Sequence, residues 1–109
     1  MLVCNVEELI EHSCDFTIGI CYRTTEWAQF IFDLLREQFE KLDCLYYAYA
    51  GDGYGYVCSK DGIKYIILNV NCALGYRFDR VYIEQNIDDN DIDNIVYPTI
   101  LTGDVYKVI

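Results

Sequence analysis

Thr24-Thr25-Glu26-Trp27-Ala28-Gln29-Phe30-Ile31-Phe32-Asp33-Leu34-Leu35-Arg36-Glu37-Gln38-Phe39-Glu40-Lys41-Leu42 is the stretch on which the fold turns. Its large apolar residues Trp27, Phe30, Ile31, Leu34, Leu35, Phe39 and Leu42 recur in steps of three and four, with Ala28 and Phe32 beside them. That spacing lays them along one face of a 3.6-residue helix. Thr24 or Thr25 supplies an N-cap, and Glu26 puts negative charge in the first turn, where the helix dipole favours it. Glu37 and Lys41 stand four apart on the wet side. One long amphipathic helix is predicted over about residues 25–42, and so much aromatic surface on one helix needs a sheet to cover it.

Working outward, Asn5-Val6-Glu7-Glu8 has the Asn-x-x-Glu form of a helix start, and Val6, Leu9, Ile10 and Ser13 continue it as a short N-terminal helix over about 6–13. Phe16, Ile18, Ile20 and Tyr22 then alternate on one face of a strand, with Gly19 as its weak point. Beyond the long helix, Cys44–Ala50, Tyr54–Ser59, Ile63–Cys72 and Gly75–Gln85 read as four strands. They are separated by Gly51-Asp52-Gly53, by Lys60-Asp61-Gly62 and by a short connection through Ala73 and Leu74. Asp61-Gly62 is a strong hairpin signal. Ile66-Ile67-Leu68, apolar on both faces, belongs near the middle of a sheet. Asn86–Asn94 reads as a solvated acidic stretch, and Tyr97–Leu101 with Val105–Ile109 as a terminal hairpin or two edge strands turning at Thr102-Gly103-Asp104. Pro98 suits an edge. The expected fold is α+β, a single domain over residues 1–109. Its antiparallel sheet, a meander of about four strands plus N- and C-terminal strands, packs on the one long helix.

Composition bounds what such a domain can do. The chain has 109 residues, 18 acidic and 8 basic, for a formal charge of −10. Folding should leave roughly 6,200 Å² of surface from about 18,000 Å² in the open chain, and with 53% apolar residues a packed core follows rather than disorder. The acid excess excludes an ordinary nucleic-acid binder, which needs surplus Lys and Arg against phosphate. Half of the excess falls in residues 81–109, where Glu84, Asp88, Asp89, Asp91, Asp93 and Asp104 face one base, Lys107. No apolar run approaches the ~18–20 residues that span a bilayer, and the N-terminus lacks the basic and apolar regions of a secretory signal. A cytoplasmic protein with no membrane contact is expected. Its six cysteines (Cys4, Cys14, Cys21, Cys44, Cys58, Cys72) are expected as free thiols, since Cys21 and Cys72 end apolar runs where a thiol serves as a small hydrophobe.

No constellation points to catalysis. Gly51-Asp52-Gly53-Tyr54-Gly55 lies between strands and is followed by no lysine, so it is a hairpin turn rather than a phosphate loop. Around it cluster Tyr46, Tyr47, Tyr49, Tyr54 and Tyr56, a residue type favoured at protein interfaces. Asp89, Asp91 and Asp93 open like a calcium loop, but Asn94 stands where the loop needs glycine and Ile100 where it needs a bidentate glutamate. His12 and Cys14 point apart on a helix, and Ser13 and Ser59 lie in no nucleophile elbow. The cysteines lack zinc spacing. Arg77, Asp79 and Arg80 suggest cross-strand charge pairing on the fourth strand.

The sequence therefore predicts a small acidic binding protein, not an enzyme, with no cofactor and no metal. It would inhibit or regulate a nucleic-acid-handling protein by occupying that partner's basic surface, without binding nucleic acid itself. The expected contact residues are Glu84, Asp88, Asp89, Asp91, Asp93 and Asp104, with Tyr47, Tyr49, Asp52 and Tyr54 around the hairpin. In size, acid excess and lack of catalytic motifs the chain resembles phage-encoded and mobile-element inhibitors, among them anti-CRISPR proteins and DNA mimics; the likeness is one of composition and implies an inhibitory role in a host cell. The alternatives are a self-associating domain that forms a homodimer through its hairpin or terminal strands, and a small-ligand-binding domain using an aromatic pocket near Gly51–Gly55.

Overall fold

Strand β2 (Thr17–Tyr22) is the axis of the molecule, buried on both faces along Ile18–Tyr22. The computed structural model describes residues 2–10, 17–51, 53–101 and 105–109. In it β2 pairs in parallel with β5 (Lys64–Asn69) on one side and with β6 (Arg80–Glu84) on the other. Beyond β6 come β7 (Val105–Val108) and β1 (Leu2–Cys4), both parallel; beyond β5 come β4 (Tyr54–Ser59) and β3 (Leu45–Gly51), both antiparallel to their neighbours. Among the described residues the sheet thus has seven strands in the order β1-β7-β6-β2-β5-β4-β3.

The mixed α+β class and the two hairpins around residues 52 and 61 stand as expected. The sheet is larger and mainly parallel, which corrects the antiparallel meander. The meander ends at β5, because residues 70–79 do not turn tightly. Val70–Cys72 forms a 3₁₀ turn, opened by an Asn69 side chain that accepts the N–H of Asn71, and Gly75 takes φ 97°. The chain then passes across the sheet to the far side of β2, so β6 starts at Arg80 rather than Gly75. The terminal hairpin is corrected as well: Tyr97–Thr99 is a 3₁₀ turn, and β7 lies parallel between β6 and β1. The turn at 102–104 lies outside the described residues, as do His12, Ser13, Cys14 and Phe16 and the last residues of the expected N-terminal helix.

Two cores follow from a sheet covered on both sides. On one face, helix α2 (Thr25–Lys41) sets Ala28, Ile31, Leu35 and Phe39 against Ile18, Ile20, Val57, Tyr65 and Ile67. Helix α1 (Val6–Ile10) adds Leu9, whose carbonyl accepts the Tyr65 hydroxyl at 2.7 Å. The N–H of Glu8 reaches the Asn5 side chain at 2.9 Å, the cap read from the sequence. On the other face Cys21, Ile66, Leu68, Val81, Ile83 and Val105 pack under Val70, Ala73, Phe78, Ile92 and Val96. The expected single long helix is corrected here. At 17 residues α2 is about 25 Å long, too short to cover a sheet about 29 Å wide, and the layer opposite it is built from short pieces. These are α3 (Asp89–Asp91), a π-helical turn Ile92–Val96 and the 3₁₀ turn Tyr97–Thr99. The acidic stretch read as a solvated loop therefore carries part of the second core, through Ile87 and Ile92, with Val96 just beyond it.

Gly19 is not a weak point of β2 but the position that lets this layer close. A Cβ there would lie 2.6 Å from the Phe78 ring, which crosses directly over the glycine. The ion pairs of α2 run from Arg36 to Glu40 at 3.0 Å and to Asp33 at 4.0 Å; the anticipated Glu37–Lys41 pair is not among them. Arg77 donates to the carbonyl of Tyr76, while Asp79 accepts the N–H of Thr17 and Arg80 lies over the Tyr106 ring. Asp79 thus fastens its loop to β2, while Arg80 reaches across from β6 to β7.

Candidate interaction surface

The tyrosines predicted at the hairpin come together on one sheet face. β3 and β4 pair so that Tyr47 lies opposite Cys58, Tyr49 opposite Tyr56 and Gly51 opposite Tyr54. Strand alternation sends Tyr47, Tyr49, Tyr54 and Tyr56 to the same side. Ring centroids stand 5.5 Å apart for Tyr47–Tyr56, 5.8 Å for Tyr49–Tyr56, 5.7 Å for Tyr54–Tyr56 and 6.4 Å for Tyr49–Tyr54. These are contact distances for tilted and edge-to-face aromatic pairs. Lys64 of β5 sets its ammonium 5.2 Å from the centre of the Tyr56 ring. Tyr47 and Tyr49 remain 48% and 45% exposed, and Tyr46, beside the irregularity between Leu45 and Tyr47, is 76% exposed. Opposite this face, Ala48 and Leu45 pack toward α2. Burial and neighbouring phenols hold the Tyr54 and Tyr56 hydroxyls above the usual phenol range.

β3 is also an edge. It ends the strand order, carries no charged residue or proline between Leu45 and Gly51, and among the described residues one side of its backbone has no strand neighbour. Edges of this kind are where proteins normally place charge or proline to prevent pairing. The opposite edge, β1, has three residues.

The acidic residues behave differently from one another. Glu84 is 7% exposed and faces inward, where one carboxylate oxygen accepts the N–H groups of Arg23 and Thr24, each at 2.8 Å. It fixes the corner between β2 and α2, and Asn86 donates to the Thr24 hydroxyl beside it at 3.2 Å. Asp91 is paired with the Arg23 guanidinium. Asp88 caps α3 by accepting the N–H of Asp91 at 2.8 Å. Asp89 and Asp93 are exposed with no hydrogen-bond or ion-pair partner among the described residues. Asp52 and Asp104 lie outside the described residues. The expected contact set thus divides into a tyrosine ladder that is assembled, two free carboxylates, and three acids committed to internal structure. Tyr56 and Lys64 belong to the ladder. The alternation of Tyr54 with Tyr56, and the short Lys60–Gly62 turn that brings β5 beside β4, are the sequence signals for them.

Cys4 and Cys21 are buried, Cys44 and Cys58 half-buried and Cys72 exposed, all as free thiols. Burial pushes the Cys21 thiol up to about 12. Among the described residues no group of three His, Cys, Asp or Glu side chains could hold a metal ion, and no helix is long and apolar enough to cross a membrane.

Fold and surface together define a class: a mixed α+β domain with a two-sided core and an aromatic, open-edged hairpin at one end of its sheet. Comparison with protein-family models, with curated proteins and with solved structures returns no significant match, so function rests on the residues themselves.

Proposed function

We propose that this chain is a small acidic, non-catalytic protein-binding domain, whose contact surface is the tyrosine ladder of β3 and β4 and whose partner presents a basic, nucleic-acid-handling surface. The ladder is the observation that carries the reading. Four rings pack against one another in tilted and edge-to-face pairs while two stay almost half exposed, and tyrosines held in this way bring large contact area at little entropic cost. The partner class follows from charge. At −10 the chain repels nucleic acid and is drawn to basic protein. Covering such a surface would block phosphate access, which is the inhibitory role that its composition suggests.

The two parts of the surface separate by measurement against a panel of purified basic nucleic-acid-binding domains. Tyr47→Ala with Tyr49→Ala should weaken binding at least 30-fold, mostly through faster dissociation. Asp89→Asn with Asp93→Asn should instead slow association and flatten the salt dependence. Binding unchanged by both double variants would overturn the reading. A second reading, a homodimer formed by pairing β3 with β3 of another copy, is favoured by that strand's uncharged open edge. Light scattering at micromolar concentration separates the two, since a dimer shows twice the chain mass.

A further inference from the structure

We infer that the cavity at the carboxyl ends of β6 and β7 is a binding site for an aliphatic cation, an ammonium or guanidinium on an alkyl stem. It lies away from the tyrosine ladder, since β6 and β7 stand four and five places from β3 in the strand order. The position is the first argument. β2 and β6 are adjacent and parallel, yet β2 leads into α2 over one face of the sheet, while β6 leads into the 89–99 turns over the other. Where neighbouring strands send their connections to opposite faces, a crevice opens beyond their carboxyl ends, and ligands of open sheets bind there. The wall of the cavity comes from that end of the sheet: Glu84 closing β6, Gln85 and Asn86 after it, Trp27 in the first turn of α2, and Val108 and Ile109 at the end of β7.

The second argument is a carboxylate without a counter-charge. Glu84 is 7% exposed, and one of its oxygens takes the N–H groups of Arg23 and Thr24. The other oxygen makes no hydrogen bond among the described residues and is not sealed in the core, so it opens into the cavity that Glu84 lines. No lysine or arginine among them pairs with Glu84. The Arg23 guanidinium goes to Asp91 instead, and neither residue type lines the cavity. Charges withdrawn from water are paired as a rule, and here the open oxygen leaves that place to a ligand.

The rest of the lining sets the shape of the ligand. Asn86 gives its amide N–H to the Thr24 hydroxyl at 3.2 Å, which leaves its carbonyl oxygen as a second acceptor in the same wall. A guanidinium brings five N–H donors and an ammonium three, so either head group suits a wall of acceptors. Trp27, Val108 and Ile109 supply the apolar part, along which an alkyl stem can lie as lysine and arginine stems do on apolar surface. The volume is about 600 Å³, within the ~300–1,000 Å³ of ligand sites. An anion would instead meet the open Glu84 oxygen with no positive side chain to offset it. Two sources carry this chemistry, a free alkyl amine or guanidine and a lysine or arginine side chain of a basic partner; the second rests on the function proposed above, the first does not.

Trp27 is the only tryptophan of the chain, so its fluorescence reports occupancy of the cavity. The full chain, Glu84→Gln and Asn86→Asp are titrated with butylguanidinium and butylammonium, with butylurea and butyrate as neutral and anionic matches, and calorimetry repeats the series. Glu84→Gln keeps an acceptor for the two backbone N–H groups and puts an amide NH₂ in place of the open oxygen; its urea midpoint checks that it folds. At least one cation should bind below about 10 mM and tenfold tighter than butylurea. Glu84→Gln should weaken it at least tenfold, and Asn86→Asp, which adds negative charge to the wall, should tighten it at least threefold. The inference is overturned if neither cation binds in that range, if butylurea or butyrate binds as tightly, or if both variants bind the cation as the parent does. The same variants are then measured against the basic domains. A loss with Glu84→Gln that butylguanidinium reproduces by competition assigns the site to a partner's side chain, and cation binding without that loss assigns it to a free amine. Cation binding with no basic domain bound at all rejects the proposed function and leaves this site standing.

Discussion

Glu84 shows what a single carboxylate can do when it faces inward. One oxygen collects two backbone N–H groups at the point where β2 gives way to α2, and Thr24, the N-cap residue, makes no side-chain cap of its own. The glutamate thus does from across the sheet what a capping side chain does locally. Hydrogen bonds to charged groups contribute ~1.5–3 kcal/mol, and an unsatisfied buried N–H costs a similar amount. Glu84→Ala should therefore destabilise by about 3 kcal/mol, lowering the melting temperature by roughly 10–20 °C. Glu84→Gln keeps an acceptor and should cost about 1 kcal/mol. Asp89→Asn, on the exposed turn, should stay within about 0.5 kcal/mol of the parent. Urea titrations of the three variants check the order, and equal losses for Glu84→Ala and Asp89→Asn would reject the assignment. The sequence could not sort these acids. Glu84 ends an apolar strand and Asp89 opens a polar run, but which way a carboxylate faces is decided by α2 arriving over β2, some sixty residues away in the chain.

Among elements, α2 was the most legible because its signal is local. A 3.6-residue apolar period over residues 25–42 specifies a helix whatever it packs on, and the helix runs Thr25–Lys41. Its end was less visible. Asp43 takes φ 53°, with its N–H on the Glu40 carbonyl at 3.0 Å and the N–H of Cys44 on that of Phe39 at 2.9 Å, the paired bonds of a Schellman stop. Glycine is the usual residue there because a Cβ is strained in the left-handed region. Asp43→Gly should raise stability by about 0.5 kcal/mol, the released strain exceeding the added freedom of the unfolded chain. The exposed contact with Lys60, at 3.6 Å, offsets little of that. A fall in the urea midpoint would show that the aspartate holds the turn by other means. The hairpins at 51–54 and 59–64 were legible for the same local reason, since glycine sets their turns. The place of β2 between β5 and β6 was not, because parallel pairing is fixed by which faces α2 and the 89–99 turns cover. Ile87, Ile92 and Val96, apolar points inside an acidic run, were the only trace of that second layer.

For the whole molecule, the charge of −10 proves less of a surface property than its count suggests, since Glu84, Asp88 and Asp91 are spent within the fold. What the interior holds instead is a set of neutral acids that titrate only at high pH. Cys21, fully buried in the second core, keeps its proton up to about 12, whereas a thiol in the unfolded chain loses it near ~8.5. Burial likewise holds the phenols of Tyr65 and Tyr82 above the usual range. A group whose folded pKa is raised contributes its full stability below its unfolded pKa and loses it as pH rises toward the folded one. Stability should thus be unaffected by Cys21 up to about pH 8, then fall at up to ~1.4 kcal/mol per pH unit, with the tyrosines adding to the slope from about pH 10. Between pH 8.5 and 10 the thiol alone accounts for a loss of about 2 kcal/mol. Cys21→Ala should cost about 1–2 kcal/mol at pH 7 from the volume removed, yet lose less than the parent over that interval. Urea titrations of both proteins at pH 7.5, 8.5, 9.25 and 10 measure the two slopes. Parallel slopes would place the alkaline loss on the tyrosines or on general charge repulsion rather than on the thiol beneath the 89–99 layer.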